Sequence, residues 1–498
     1  MTIPQTPAYD ALAATYARLH RLGHLQSMAQ WDQAALMPTK GQDARAGALA
    51  EMAALMHRMR TDQRLGDEID RAEQEALSEL QRANLREIRR DWEQTTALPE
   101  ELIQRRSMTA SHCEHAWRSQ RPANDWKGFE ANLRPVVAIA REEAALLADR
   151  FGTSRYDALV ARFEPGMTSA TIDRVFGEVR QWLPGLIARV VERQSHEPVI
   201  LPPGPFPVTA QQALCERVMH LLGFDFEAGR LDVSTHPFSG GVPEDVRLTT
   251  RYREDEFLVS LLGTIHETGH GRYEQNRPRD WLGQPLSESR SMAIHESQSL
   301  SFEMQLGSHR GFVGLIAPMV AEAFGDHPAY APDNLHRLIT RVKPGLIRVD
   351  ADEVTYPAHI ILRYEIERPL IEGEIEPADI PALWDAKMAE LLGIDTRGNY
   401  RDGPMQDIHW SESLFGYFPC YSLGAMYAAQ WFTAMRRQHG DLDARIAGGD
   451  LAVVFDWLRE NIWLPASRWP TDELARRASG DALDPAHLKA HLERRYLG

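Results

Sequence analysis

Apolar side chains recur at spacings of three and four residues along most of this 498-residue chain. That spacing places them on one face of an α-helix, so it constrains the fold more than any other feature of the sequence. In one segment, residues 41–60, the apolar stripe consists of Leu49, Met52, Met56 and Met59. Strong β-runs are absent from the first 195 residues. The sequence therefore predicts a mainly α fold.

A proline-rich segment and a pair of strands interrupt the predicted helices. Residues 198–207 contain five prolines and one glycine, so no helix can continue through them. We interpret them as a rigid connector within one domain. Further on, Arg230–Ser234 and Asp245–Tyr252 alternate in polarity and are separated by a Pro- and Gly-rich turn, which predicts a small β-ribbon. Helical spacing resumes at Asp255 and continues to the C-terminus, apart from an interruption around residues 396–404.

Charge and cysteine content exclude several classes of protein. The chain has 55 Lys and Arg against 71 Asp and Glu, a formal net charge of −16. Non-specific nucleic-acid binding depends on neutralising phosphates, so we expect no nucleic-acid partner. Three widely spaced cysteines exclude a disulfide scaffold and favour a reducing compartment. No apolar stretch approaches the roughly 20 residues that span a bilayer, and the first ten residues do not resemble a signal peptide. We therefore expect a cytoplasmic protein that does not bind membranes.

The segment Asp255–His270 carries the most specific chemical pattern. Its apolar stripe, which predicts a helix, consists of Leu258, Leu261, Leu262 and Ile265. At the end of the stripe, His266 and His270 are four residues apart and so project from the same face. Two imidazoles in this arrangement can bind one zinc ion, and Glu267 lies where a base for the attacking water belongs. The sequence therefore predicts a catalytic metal site.

A third metal ligand is predicted on the next helix, Leu286–Leu306, for which Ser287 is a candidate N-cap. Glu296 follows His270 by 26 residues, which allows a second helix to lie against the first. Its carboxylate would complete a set of two histidines and one glutamate. The predicted helix face that contains Glu296 is shared by Met292, Ser299 and Glu303.

Five ordered motifs, together with Trp31-Asp32 and Met37-Pro38, carry a resemblance that extends over nearly the whole chain. The motifs are His236-Pro237-Phe238, Asp245-x-Arg247-x-Thr249, His266-Glu267-x-x-His270, His295-Glu296-Ser297-Gln298 and Gln406-Asp407-Ile408-His409-Trp410. In these motifs the chain resembles the carboxypeptidase Taq family of metallocarboxypeptidases. The resemblance implies two helical lobes around a deep groove, as in neurolysin and the angiotensin-converting enzymes. It also implies removal of C-terminal residues one at a time from peptides, a zinc or cobalt cofactor, and a homodimer.

Carried over residue by residue, the resemblance makes His266, His270 and Glu296 the metal ligands and Glu267 the general base. The developing oxyanion needs hydrogen-bond donors besides the metal. Related helical peptidases use His and Tyr there, so His409, Tyr417 and Tyr421 are the candidates. Which tyrosine acts is left open.

A carboxypeptidase must also recognise the free C-terminal carboxylate of its substrate. Arginine suits this task, since its planar fork pairs bidentately with a carboxylate. Arg348 is the preferred candidate and Arg247 the second, although Arg247 could instead form an ion pair with Asp245. His236 and Gln406, from the family motifs, are further candidates for substrate contacts. A turn-capping role for His236 is equally compatible with the sequence.

Three positions depart from the family pattern. We expect glycine where Ser413 stands, threonine where Cys420 stands and asparagine where Pro357 stands. None of them is a predicted ligand, so the departures bear on substrate preference. We expect Cys420 to be a small buried residue.

Two other functions fit the same motifs: a neurolysin-like oligoendopeptidase, and a catalytically silent peptide-binding protein. Retention of Glu267 argues against the silent protein, because binding alone needs no base. The motifs are spread over both halves of the chain and must converge. We therefore predict one domain over residues 1–498, with a helical lobe of residues 1–195 and a metal-site lobe of residues 196–498.

Overall fold

Helices dominate the computed structural model, which describes residues 5–234 and 237–498. The predicted mainly α fold is confirmed. The helices are α1 (Pro7–Ala35), α2 (Gln42–Arg60), α3 (Gln63–Ala72), α4 (Glu79–Thr96), α5 (Glu100–Gln120), α6 (Trp126–Phe151), α7 (Arg155–Val160), α8 (Ser169–Ser195), α9 (Val208–Leu221), α10 (Leu258–Gln275), α11 (Met292–Leu300), α12 (Arg310–Phe324), α13 (Pro332–Ile339), α14 (Tyr356–Glu372), α15 (Ile380–Leu392), α16 (Pro419–Gln438), α17 (Leu442–Ala447), α18 (Ala452–Leu458), α19 (Thr471–Ser479) and α20 (Ala486–Tyr496). None of the helices in these described ranges is both long and apolar enough to cross a membrane.

The apolar interior falls into one large core and smaller clusters. Helices α1–α4 form their own cluster around Leu12, Ile69 and Ile88. Helices α5–α8 contribute instead to the large core, which they share with α10–α12 and α14–α16. The helical stripe of α8 and the C-terminal helices therefore bury their apolar faces against each other, although they are far apart in the sequence.

Three short strands form the only sheet among the described residues: β1 (Gly229–Val233), β2 (Ser239–Val242) and β3 (Asp245–Thr250). The two predicted strands correspond to β1 and β3, which pair in parallel. Between them the chain forms β2, which pairs antiparallel with β3 and makes the order β1-β3-β2. The predicted β-ribbon is confirmed but has a third strand, β2, whose Ser239-Gly240-Gly241 sequence has little strand propensity and is held in place by pairing with β3.

Helices α10 and α11 position the site and lie antiparallel. In α10, Leu261 and Ile265 of the predicted stripe are completely buried. The backbones approach closely at Gly269, where a methyl group would lie 2.5 Å from the carbonyl oxygen of Gln298. Glycine at this position therefore lets the two helices come into direct backbone contact.

The second helix of the predicted site differs in its details from the expectation. Its N-cap is Ser291, whose hydroxyl accepts a hydrogen bond from the backbone N–H of Ile294. Ser287 lies instead in a separate short 3₁₀ turn. Beyond Leu300 the helix continues as a π-helical turn, Ser301–Gly307. Just before Ser291, the buried guanidinium of Arg290 pairs with both carboxylate oxygens of Glu87 at 2.9 Å.

The interruption in the C-terminal half is longer than predicted: no helix spans residues 393–418. Ser413 in this loop has φ of 60°, in the left-handed region that favours glycine. The glycine expected there would suit this backbone better. Pro357 lies in the first turn of α14, where proline is tolerated. Cys420 is buried, as expected.

Candidate active site and metal centre

The predicted metal ligands converge. On α10, His266 and His270 have ring centroids 5.0 Å apart, and Nε2 of His270 lies 3.5 Å from Oε2 of Glu296 on α11. Ligand atoms of all three residues lie within 4.8 Å of one another. Donors that share one zinc ion at about 2 Å lie within about 4 Å of each other, so a small adjustment would close this set around a metal.

Helix α16 holds Glu296 from its other side. A methyl group at Gly424 would lie 2.7 Å from Cγ of Glu296. Helices α11 and α16 therefore pack directly against each other at the ligand. Together with the contact at Gly269, this packing leaves the Glu296 side chain little room to move.

Each predicted metal-ligating histidine is supported by a neighbour. Nδ1 of His266 lies 2.7 Å from Oε2 of Glu303, which leaves Nε2 for the metal. Although burial opposes it, this hydrogen bond and the charge of Glu296 raise the pKa of His266 to about 10. The ring of His270 stacks on that of His295 at 4.5 Å, and His295 is held by Glu274 through a 3.0 Å hydrogen bond.

Glu267, the predicted general base, lies beside the three predicted metal donors. It is buried, and among the described residues its Oε2 has no hydrogen-bond partner. Burial, with a contribution from the charge of Glu296, raises its pKa to about 7. A carboxylate with an unused oxygen beside three metal donors fits a hydrolytic metal centre, because it can exchange a proton with water near neutral pH.

The predicted oxyanion donors form one aromatic cluster. Nε2 of His409 lies 3.1 Å from the Tyr421 hydroxyl, and the Tyr417 ring packs 5.3 Å from the Tyr421 ring. Burial, then the positive charges of Arg348 and Arg363, lower the pKa of His409 to about 4 despite Asp407. His409 is therefore neutral at neutral pH. The charge of Glu296 contributes to the raised pKa of both tyrosines, after burial, so both lie close to the metal ligands.

Arg348 lies in a buried network at the same end of the site. Its Nε donates to Asp407 Oδ1 at 2.9 Å, its Nη2 lies 2.8 Å from the same oxygen, and its Nη1 donates to the Tyr356 hydroxyl at 3.1 Å. Arg363 binds the other oxygen of Asp407 at 2.7 Å. Since guanidinium has five N–H groups, these contacts leave two of them on Arg348 without an assigned partner. The guanidinium also stacks 4.8 Å from the Tyr421 ring.

The other predicted substrate contacts are engaged elsewhere or lie outside the described residues. Arg247 pairs bidentately with Asp245, at 2.6 and 2.9 Å, and lies 4.5 Å above the Trp31 ring. The Gln406 side chain accepts from the Arg348 backbone N–H and donates to two backbone carbonyls. His236 lies outside the described residues. These roles stay predictions.

Sequence reasoning missed several residues that shape the site. Glu303 was placed on the right helix face but given no role, and Asp407 was present in a quoted motif without its two arginine partners. Tyr356 and Gly424 carried no distinguishing signal, because their importance comes from what lies opposite them.

A cleft of about 470 Å³ borders His295, although none of the three predicted metal ligands lines it. Its walls come from α1, α4, β2 and the end of α10, and they include His20, Glu288 and His295. Because His295 stacks on His270, the cleft extends to within one ring of the predicted metal position.

A mainly helical body with His266, His270 and Glu296 gathered beside a buried Glu267 defines a metallopeptidase of the His-Glu-x-x-His class. The model of the family described as "Carboxypeptidase Taq (M32) metallopeptidase" matches residues 11–496. The chain therefore belongs to that family. It is 37% identical over 502 residues to thermostable carboxypeptidase 1 of Thermus thermophilus, covering 98% of both chains.

Solved structures agree with this assignment. Metallocarboxypeptidase 1 of Trypanosoma cruzi matches with a TM-score of 0.97 and 47% identity, covering 99% of this chain and 100% of that chain. A Pyrococcus furiosus carboxypeptidase matches with a TM-score of 0.95 and 30% identity, over 99% and 100% of the two chains. The chain is therefore a metal-dependent carboxypeptidase, and this reading holds over the oligoendopeptidase and the silent binding protein.

Proposed function

We propose that this enzyme removes C-terminal residues one at a time from peptides at a zinc centre formed by His266, His270 and Glu296. The observation that carries the proposal is the convergence of these three donors, within 4.8 Å, beside the buried carboxylate of Glu267. Two imidazoles and one carboxylate are a common ligand set of hydrolytic zinc. The same donors accept cobalt, which is the alternative metal.

Glu267 is the general base and then the general acid. When bound, the metal supplies Lewis acidity, which lowers the pKa of water and polarises a carbonyl group. The free Oε2 of Glu267 takes the proton of the attacking water and passes it to the nitrogen of the departing residue. A pKa of about 7, raised by burial, suits a group that must both accept and donate this proton.

His409, Tyr417 and Tyr421 stabilise the negative charge that develops on the carbonyl oxygen. In the tautomer with its proton on Nε2, a neutral His409 donates to the Tyr421 oxygen and leaves the Tyr421 hydroxyl proton for the carbonyl oxygen. Tyrosine hydroxyls whose pKa is raised by burial keep their protons and act as donors.

Arg348 binds the C-terminal carboxylate of the substrate. Asp407 and Tyr356 use three of its five N–H groups and hold the guanidinium in place, which leaves two for a carboxylate. Arg247 is the weaker candidate, since its fork is already occupied by Asp245. Gln406 acts by fixing the backbone of Arg348, and His236 stays a candidate for substrate contact.

The family resemblance implies a substrate groove between the lobes, and the cleft beside His295 is a candidate for part of that groove. The single domain over residues 1–498 is supported by the core that α5–α8 share with the C-terminal helices. The lobe boundary at residue 195 stays a prediction.

A cytoplasmic location is supported by the free, buried Cys113, Cys215 and Cys420. A homodimer is supported by the family resemblance, and light scattering of the purified enzyme tests it.

The decisive experiment compares a peptide with its C-terminally amidated twin. We expect rapid cleavage of the free acid and a loss of at least about 100-fold for the amide, because the amide lacks the charge that Arg348 binds. Arg348→Ala should remove most of this difference by slowing the free acid alone. Equal rates on the two peptides with the unaltered enzyme would refute the proposal.

A second measurement tests the base and the metal. Glu267→Gln should keep stoichiometric zinc, measured by elemental analysis, and lose turnover by about 10²–10⁴-fold. Unchanged turnover would contradict the role of Glu267, and absence of any bound zinc or cobalt in the unaltered enzyme would contradict the metal centre.

A further inference from the structure

We propose that Glu303 is a positioning residue of the metal centre: its carboxylate fixes the ring orientation and tautomer of His266 and thereby strengthens metal binding. The inference rests on the proposed metal centre and adds to it a residue that does not touch the metal.

The geometry of the pair carries the inference. Oε2 of Glu303 lies 2.7 Å from Nδ1 of His266, so Nε2 is the ring nitrogen left to share the metal with His270 and Glu296. A carboxylate can only accept here, so Nδ1 carries the proton and Nε2 presents its lone pair to the metal. Metal-ligating histidines commonly donate their second N–H to a carboxylate in this way.

The backbone explains how one helix supplies both a ligand and a positioning residue. Glu296 lies on α11, and Glu303 follows on the π-helical turn Ser301–Gly307. Because α11 runs antiparallel to α10, Glu296 lies opposite His270 and Glu303 lies opposite His266. π-helical turns inserted in α-helices are found most often at functional sites.

The surroundings of Glu303 leave it no comparable alternative role. Its carboxylate makes no other hydrogen bond or ion pair within the part of the chain that the structure describes, and its side chain is 27% exposed. Other site carboxylates differ in this respect, as Asp407 bridges two arginines. Among the described residues, the only side-chain hydrogen bond of Glu303 is with the predicted ligand His266. Because a partly exposed ion pair adds little to the stability of the fold, this carboxylate contributes mainly to the metal site.

The two histidine ligands are therefore supported by different means. His266 has a charged hydrogen-bond partner at Nδ1. His270 has a ring stacked against it, and its own Nδ1 has no hydrogen-bond partner among the described residues. Loss of Glu303 should accordingly affect one ligand and leave the other in place.

The test measures metal affinity without any peptide. Zn²⁺ is titrated against a chromophoric chelator with the unaltered metal-free enzyme, Glu303→Gln, Glu303→Ala and the control Glu365→Ala. Glu365 has a similar exposure, 22%, and pairs with Arg180 and Lys387 on distant helices. We expect Glu303→Ala to weaken Zn²⁺ binding by about 10–100-fold. Glu303→Gln should weaken it less, because its amide oxygen still accepts from Nδ1–H, and Glu365→Ala should leave it unchanged.

Two further readouts separate positioning from other roles. The visible spectrum of the Co²⁺-loaded enzyme should keep its band intensities in Glu303→Gln, since the ligands are the same. The metal-free Glu303 variants should still melt in one cooperative transition, at a somewhat lower temperature because the hydrogen bond to His266 is lost.

Three outcomes would overturn the inference. They are a Zn²⁺ affinity within threefold of the unaltered enzyme in Glu303→Ala, a weakening equal to that of Glu365→Ala, and a Co²⁺ spectrum that shows the loss of a ligand. None of these outcomes bears on the carboxypeptidase reaction. That reaction is tested separately, by comparing the free-acid peptide with its amidated twin. Failure of the unaltered enzyme to bind Zn²⁺ or Co²⁺ would instead refute the metal centre itself.

Discussion

Nε2 of His409 lies 3.1 Å from the hydroxyl oxygen of Tyr421. The two residues reach the site from different elements, since His409 lies in the long loop before α16 and Tyr421 in the first turn of that helix. Their hydrogen bond joins the loop to the helix at the point where the aromatic cluster faces Glu296. The pair is therefore built to act together.

If the pair orients one hydrogen-bond donor, its two members should not contribute independently. Tyr421→Phe should lower kcat by about 10²–10³-fold, as for the loss of one oxyanion donor, with metal content unchanged. Adding His409→Ala should cost less in this background than in the unaltered enzyme. Steady-state kinetics on one peptide give kcat for the unaltered enzyme, the two single variants and the double variant. Tyr330→Phe is the control, because its buried hydroxyl has no partner among the described residues. Fully additive losses would contradict the coupling.

Packing against Glu296 should be sensitive to a single methyl group. Gly424→Ala would place a carbon 2.7 Å from Glu296 Cγ, so the ligand must move. We expect Zn²⁺ affinity to fall on the order of tenfold or more, measured by chelator competition. Gly263→Ala is the matched control: it lies on α10 with open space around the added methyl, and should raise helix stability by up to about 1 kcal/mol without changing metal binding. Equal metal affinities in both variants would show that α16 does not hold Glu296.

Ser413 should carry a backbone penalty. Its φ of 60° costs a non-glycine residue about 1–2 kcal/mol, whereas glycine adds about 0.5–1 kcal/mol of chain entropy in the unfolded state. Ser413→Gly should therefore raise the free energy of unfolding by about 0.5–1 kcal/mol, measured by denaturant titration. Ser413→Ala keeps the strain and removes only the hydroxyl, which is buried without a partner among the described residues, so its gain should be smaller than that of Ser413→Gly. A gain in the alanine variant alone would assign the effect to the buried hydroxyl.

Glu164 should make the enzyme less stable as pH rises. Burial raises its folded-state pKa to about 7, although the N–H of Ala293 lies 3.1 Å away and favours the charged form. The folded state therefore holds a proton that the unfolded state has already released. Stability is full below about pH 4.5 and is lost, by at most about 1.4 kcal/mol per pH unit, as pH rises through 7. Glu164→Gln should flatten the dependence of unfolding free energy on pH between 5 and 7. An unchanged slope in this variant would contradict the raised pKa.

Glu353 should have the opposite effect on the pH dependence of stability: it should make the enzyme less stable as the pH falls. Although burial opposes them, Arg495 and His491 hold its folded-state pKa at about 2. The unfolded state therefore binds the proton first, and stability falls as pH drops from about 4.5 toward 2. Glu353→Gln should be less stable at pH 7 and should lose less stability on acidification. Parallel acid-unfolding profiles of the two proteins would exclude this role.

Much of the fold and the central chemistry could be predicted because they depend on short-range patterns. Three- and four-residue spacing predicted helix α10, and the same spacing placed His266 and His270 on one face. Glu296 was predicted from its distance along the chain and the shape of a zinc ligand set. Glu267 needed only its position between the two histidines.

The less successful predictions involve residues whose surroundings come from remote parts of the chain. Strand β2 has a sequence that favours no strand, and it exists because β3 offers a free edge. Ser287 was predicted as the N-cap of α11, but the path of the chain before this helix places Ser291 there instead. Arg348 was predicted as a substrate ligand with no sign that Asp407 and Tyr356 would occupy three of its N–H groups.

By itself, the sequence determined the class of fold and predicted three metal donors with a base beside them, because helix periodicity and ligand chemistry are local. The tertiary structure alone decided which side chains support them: Glu303 on His266, Gly424 against Glu296, and Tyr421 on His409. Each of those pairs joins segments that meet only when α10, α11, α16 and the loop before it pack together. These contacts, at about 3 Å, form only when the buried surfaces pack together, so no local sequence pattern predicts them.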